Sequence, residues 1–177
     1  MNKTYTILIL ILTFSCSNLL WGQNIELHYE NEQLNIIGSS GKYSLDIAIQ
    51  SDEATTLGSG ELYFDYNSNA FGQNAVSTGN IKVTIPNGYW LSQTSNQNGT
   101  VDIYTLPKIS DAGNDRFLVT WDQVIEGACM DELPLGQSEL LFHLELTYIP
   151  NGINFSNGLC FAQISEDELF TACGNNT

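Results

Sequence analysis

SELLFHLELTYI, residues 138–149, is the stretch that decides the fold. Leu140, Phe142, Leu144, Leu146 and Tyr148 fall at every second position, with polar residues between most of them. Side chains along a strand alternate between two faces, so this spacing over twelve residues predicts a long strand with one face buried. The same reading extends in both directions. KYSLDIAIQ (42–50) places Tyr43, Leu45, Ile47 and Ile49 on one face, and GELYFDY (60–66) does so with Leu62, Phe64 and Tyr66. IELHY (25–29), LNII (34–37), NIKVTIP (80–86), TVDIYTL (100–106), RFLVTWDQV (116–124), GLCFAQI (158–164) and ELFTAC (168–173) supply further strand signals.

Turn chemistry separates these runs. GSSG, NSN, STGN, PNG, NQNG, DAGND and IPNG carry the residue types that bend a chain through φ freedom, fixed φ or local side-chain hydrogen bonds. No segment has a convincing helical period, although DEATTL or SNAFGQN has room for one turn of helix. About nine or ten strands at this spacing predict an all-β chain folded as a two-layer antiparallel β-sandwich. No internal repeat or linker divides it, and the 177 residues are one domain's length, enough to bury a core unaided. Whether Thr177 ends the protein or one piece of a longer product stays open.

The first 22 residues stand apart. A short basic start (MNK) leads into the apolar run TYTILILILTF and then into small and turn residues. This is the pattern of a secretory signal peptide. The run falls short of the about 20 apolar residues a membrane span needs. Cleavage is expected after Gly22, leaving 23–177 as a single extracellular domain. The alternative is lipid anchoring at Cys16, where Ser15 suits such processing and Thr13 does not.

Removal of Lys3 takes the formal charge from −15 to −16, with 20 acids against Lys42, Lys82, Lys108 and Arg116. That balance argues against nucleic acid and anionic membranes as partners and permits calcium or a cationic partner. The acids are spread along the chain, which solubility alone also explains.

No nucleophile elbow, metalloprotease helix motif, phosphate-binding loop or dinucleotide fingerprint occurs. His28 and His143 are lone residues on strand patterns, and alternation sends His143 to the face opposite Phe142 and Leu144, towards solvent. Glu61 with Asp65, and Glu139 with Glu145, are same-face acids of the kind a glycoside hydrolase uses. In a chain with 20 acids such pairs arise by chance. SDAGNDRF offers Asp111, Asn114 and Asp115 around Gly113, which suits at most weak calcium binding or an ordinary Asx-rich hairpin. No other cofactor is expected. Tyr89 and Trp90 beside the PNG turn, with Tyr104, are the candidate ligand-binding aromatics, since exposed rings stack on sugars or anchor a protein partner. Alternation places one of Tyr89 and Trp90 in the core.

Cys129, Cys160 and Cys173 remain after the signal, so one disulfide and one further thiol are expected in an oxidising environment. If Glu166–Asp167 turned a two-residue hairpin, Cys160 and Cys173 would face each other as a non-hydrogen-bonded pair with Cα atoms about 4.5 Å apart, within disulfide range. A longer loop would shift the register and let Cys129 compete.

The order YSLDIAIQS, LGSGELYFDYNSNAF, FLVTWDQV, LGQSELLFHLELTYIPNG resembles cohesin-like modules of secreted bacterial proteins, which are jelly-roll sandwiches related to carbohydrate-binding domains. YFDYNSNAF is similar to the element that closes an early strand of those modules. GQSELLFHLELTY is similar to their late strand entered through Gly. The resemblance covers about residues 42–165 and extends to stand-alone modules exported by type IX secretion. It implies that Leu57–Phe71 is structure, a strand ending in an Asn/Ser turn, and it transfers no recognition residues. The expectation is therefore a secreted, non-catalytic module for cell adhesion or assembly that binds a protein partner. The alternative is a carbohydrate-binding module on a polysaccharide, with a glycoside hydrolase third. No membrane insertion is expected once the signal is removed.

Overall fold

The computed structural model describes residues 25–37, 40–95, 101–124, 132–162 and 170–172. Among them the chain is all-β. Eleven strands are β1 (Ile25–Ile37), β2 (Ser40–Ser51), β3 (Leu57–Asp65), β4 (Ile81–Thr84), β5 (Thr94–Ser95), β6 (Val101–Asp102), β7 (Lys108–Asp111), β8 (Arg116–Trp121), β9 (Ser138–Thr147), β10 (Cys160–Phe161) and β11 (Phe170–Ala172). One short helix, α1 (Ser68–Phe71), follows β3, as the SNAFGQN stretch allowed. No helix among the described residues is long and apolar enough to cross a membrane.

Two antiparallel sheets carry the fold. The first has the order β1-β2-β9-β4. In the second, β3 lies between β8 on one edge and β10 with β11 on the other, and β7 flanks β8. Strands β5 and β6 form a small separate ladder. Alternation decides what faces inward. Leu45, Ile47 and Ile49 of β2, Leu62 and Phe64 of β3, Phe117, Val119 and Trp121 of β8, and Phe142, Leu144 and Leu146 of β9 are all buried. Rings from the two sheets meet in one core. Phe142 of β9 lies 6.4 Å from Phe64 of β3 and 6.3 Å from Trp121 of β8, centroid to centroid, and Tyr29 of β1 stacks on Phe161 of β10 at 4.8 Å.

One position departs from strict alternation. The β2–β9 register steps between Ile47, opposite Phe142, and Ala48, opposite Leu140, so Leu141 is the extra residue of a bulge. Leu141 is fully buried and Leu140 only partly so. The single file from Leu140 to Tyr148 therefore begins at Phe142.

Leu57–Phe71 is structure. Phe64 and Tyr66 are buried, the Asn67 side chain accepts from Asn69 N–H at 3.0 Å to cap α1, and Ala70 and Phe71 of α1 enter the core. Tyr66 ties three segments together: its hydroxyl donates to the Asn114 carbonyl and accepts from Ala75 N–H, both at 3.0 Å.

The expected hairpin between 158–164 and 168–173 is replaced by another arrangement. β10 and β11 both pair antiparallel with β3, Cys160 opposite Asp65 and Ala172 opposite Leu57. They run in the same direction along one edge of β3, whereas hairpin strands run in opposite directions. Cys160 and Ala172 are thus about 27 Å apart along β3 at ~3.4 Å per residue, against the ~7 Å limit between disulfide Cα atoms. The described residues of the two segments are therefore not in the register that a two-residue turn at Glu166–Asp167 would give; that turn lies outside the described residues. Cys173 and Cys129 themselves lie outside the described residues, as does the signal segment with Cys16.

Candidate binding site

The outer face of the first sheet carries a polar row one residue wide. Because Leu45 and Ile47 point inward, Asp46 points outward, and the registers align Glu30 (β1), Asp46 (β2), His143 (β9) and Thr84 (β4) across all four strands. Asp46 is nevertheless only 4% exposed. Its cover comes from both sides. In β1 the register steps between Glu30 and Gln33, so Asn31 and Glu32 together stand where one residue would. Asn31 takes φ 52°, a left-handed conformation that Asn tolerates better than most residues. That kink turns its amide onto the carboxylate: Asn31 Nδ2 donates to Asp46 Oδ2 at 2.7 Å. His143 Nδ1 lies 2.6 Å from Asp46 Oδ1, and the Tyr89 hydroxyl also bonds Asp46.

These contacts set the charge states. Burial pushes the Asp46 carboxyl upward, but the hydrogen bonds from His143, Asn31 and Tyr89 outweigh it and hold the group below its ordinary range. Burial, reinforced by the bond to Asp46, pushes the Tyr89 phenol up to about 12. At neutral pH Asp46 is a carboxylate with three donors and Tyr89 a neutral phenol. An ionised Asp46 holds a proton of His143 on Nδ1.

A second cluster borders the first. His28 Nε2 lies 3.0 Å from both Glu30 Oε1 and Ser138 Oγ, and the Ser138 hydroxyl also donates to Glu30. The Ser138 bond, with help from His28, holds the Glu30 carboxyl below its usual range against the opposing effect of burial. Serine, histidine and carboxylate are all present, but both oxygens share one ring nitrogen. A hydrolytic relay needs the carboxylate on one nitrogen and the serine on the other. This cluster ties the β1 edge to the start of β9.

The sequence placed His143 in solvent. It is instead half-buried against Asp46, because both strands present their polar midpoints on the same face in the same register. Trp90 and Tyr104, expected as ligand-binding aromatics, are each 6% exposed and belong to the core, the Tyr104 hydroxyl donating to the Leu57 carbonyl at 2.6 Å. Neither offers a ring face to a sugar. Tyr89 stays partly exposed but spends its hydroxyl on Asp46. Asp111, Asn114 and Asp115 sit at the β7–β8 turn, closed by Ala112 N–H donating to the Arg116 carbonyl at 2.9 Å. The Asp111 carboxylate accepts from Val76 N–H (3.0 Å), Ser77 N–H (2.9 Å) and the Ser77 hydroxyl, and so anchors the 74–80 turn. Asn114 and Asp115 bond through their backbone carbonyls and expose their side chains. Among the described residues no group of three or more His, Cys, Asp and Glu is placed to hold a metal. One acid of each pair is taken up by a cation: Asp65 binds Arg116 through two contacts of 2.6 and 3.1 Å, and Glu145 binds Lys42 at 2.8 Å.

Asp46, Asn31 and His143 are the residues sequence reading missed. The available signal was positional. Asp46 and His143 are polar residues near the middle of the two strongest apolar alternations, so pairing those strands brings the two together.

Comparison with protein families, with curated proteins and with solved structures finds no match to this chain.

Proposed function

We propose that the chain is a secreted, non-catalytic adhesion or assembly module that binds a protein partner, built as a two-layer jelly-roll or cohesin-like β-sandwich. The layering is supported by the ring contacts between the two sheets. Export is supported by the basic-apolar-small order of residues 1–22. The observation that carries the functional reading is the edge strand β1, whose Leu34, Ile36 and Ile37 are 54%, 52% and 84% exposed. Apolar side chains concentrated on one strand edge are a recognition surface for protein rather than for sugar, which needs exposed rings and convergent polar groups.

The test is retention on insoluble polysaccharides together with a broad glycan and peptide substrate screen. The expected result is no sugar-competed retention and no turnover. Retention competed by a soluble sugar would install the carbohydrate-binding reading. Turnover abolished by changing one Glu or Asp would install the hydrolase.

A further inference from the structure

Strand β1 is the terminal strand of its sheet, and none of its 13 residues is fully buried. β3, β8 and β9, by contrast, each bury several side chains completely. The apolar hold on β1 is partial. Ile25, Leu27 and Tyr29 pack against the core while partly exposed, and Leu34, Ile36 and Ile37 face solvent. Beyond its ladder with β2, carboxylates fasten it. At the bulge, Asn31 Nδ2 donates to Asp46 Oδ2 of β2 at 2.7 Å. Before the bulge, His28 stands opposite Ala48, whose methyl leaves the imidazole room to cross β2. It reaches Ser138 Oγ of β9 at 3.0 Å, with Glu30 bonded to both. After the bulge, Glu32 accepts from the Tyr43 hydroxyl.

Both oxygens of Asp46 already meet N–H groups, Oδ2 that of Asn31 and Oδ1 that of His143 at 2.6 Å, and the Tyr89 hydroxyl bonds the carboxylate as well. A proton on either oxygen therefore displaces a bond, and losing Asn31 undoes the clasp on the bulge. Glu30 accepts from the Ser138 hydroxyl, a bond that weakens when the acceptor loses its charge. The other ionisable groups on this face offer no substitute. Glu145 of β9 holds Lys42 at 2.8 Å, and Lys82 of β4 stands opposite Glu145. At acid pH His28 and His143 carry charge beside carboxyls that do not. Burial raises the Asp46 carboxyl, but the bonds from His143, Asn31 and Tyr89 outweigh it; the Ser138 bond leads in lowering Glu30. Carboxylates held low in the folded state stabilise it above their unfolded value, about 4, and cease to do so as pH falls through the folded value.

We propose that β1 is an acid-released strap: protonation of Asp46 and Glu30 frees it from β2 and β9 as a unit, while the β2–β9 and β3–β8 pairs stay formed. Local opening of this kind belongs to elements with few buried apolar contacts, and β1 is such an element. Release carries Leu34, Ile36 and Ile37 away from the sheet edge, so acid would switch off binding at that edge. This consequence rests on the protein-binding reading; the release itself does not.

The experiment is amide hydrogen exchange on the whole protein from about pH 6 to about pH 2, with each rate corrected for the intrinsic rate at that pH. The expected result is that β1 amides lose protection together on acidification, by about tenfold or more beyond any loss in β3 and β8. Asp46→Asn should lower β1 protection at neutral pH and flatten its acid dependence. Glu30→Gln, which leaves the buried Asp46 in place, should flatten it in part. Asp111→Asn removes a carboxylate that is also held low but anchors the 74–80 turn, so it should leave the β1 response as in wild type. Loss of β1 protection only together with β3 and β8 would overturn the inference. So would β1 protection that persists to about pH 2, or an unchanged acid dependence in both Asp46→Asn and Glu30→Gln.

Discussion

Asp46 and His143 face each other across the β2–β9 pair, with Oδ1 and Nδ1 2.6 Å apart, on the outer side of a sheet whose inner side buries Leu45, Ile47, Phe142 and Leu144. A carboxylate so deeply buried keeps its charge only because Asn31, His143 and Tyr89 all bond it.

Asp46→Ala should therefore cost about 3 kcal/mol, since it strands donors that folding has taken from water. Tyr89→Phe, which removes one neutral donor, should cost about 1 kcal/mol. Chemical denaturation of both variants checks the order. Equal losses would mean that the network is not centred on Asp46.

Asp46, Asp111 and Glu30 are all held below their ordinary ranges. A depressed folded-state pKa gives stability that is present above the unfolded value, about 4, and is lost as pH falls through the folded value. Stability should thus decline below about pH 4, and less steeply in Asp46→Asn. Thermal melts from neutral to strongly acid pH measure this, and an identical acid slope in the variant would contradict it.

At the alkaline end the sign reverses. Burial raises the phenols of Tyr43, Tyr66, Tyr89, Tyr104 and Tyr148, with the bonds to Glu32 and Asp46 adding to it at Tyr43 and Tyr89. Their contribution is complete below the unfolded value of about 10 and is lost as pH rises through the folded values. An absorbance titration should show these tyrosines ionising together with unfolding. Ionisation near pH 10 in the intact fold would count against their burial.

Gly60 and Trp121 are partners across β3 and β8, and a Cβ on Gly60 would fall inside the Trp121 ring. The indole is pinned by its N–H donating to the Gly58 carbonyl at 2.9 Å, so it has no easy retreat. Gly60→Ala should cost about 3 kcal/mol by overpacking, read as a lower denaturation midpoint with a changed tryptophan near-ultraviolet signal. A variant as stable as wild type would show that β8 can shift.

Much of the fold was legible in the sequence, and the reason is physical. Strands β2, β3, β8 and β9 each bury one face, and burial enforces a period of two that single residues display. Leu140 was assigned to the wrong file because a bulge adds one residue to one strand and leaves no mark in the alternation. β5 and β7 were not visible, since so few residues establish no period, and of the run read at 100–106 only Val101–Asp102 forms a strand, β6. The β10–β11 hairpin failed for another cause: local sequence proposes the nearest partner, whereas the edge of β3 took both segments. Site residues were harder still. Trp90 and Tyr104 look like ligand-binding aromatics in a list of turns, and only packing shows that they are core. Asp46 and His143 look unremarkable separately, and pairing 97 residues apart makes them a site.

The central claim, that this is a protein-binding module and not a sugar-binding or hydrolytic one, is tested most directly by titrating proteins from the same cells and their medium against the purified protein. The account predicts that one such protein binds saturably at one-to-one stoichiometry with a Kd of about micromolar or tighter, weakened by Ile36→Lys. No saturable protein binding, together with sugar-competed retention on an insoluble polysaccharide, would contradict it.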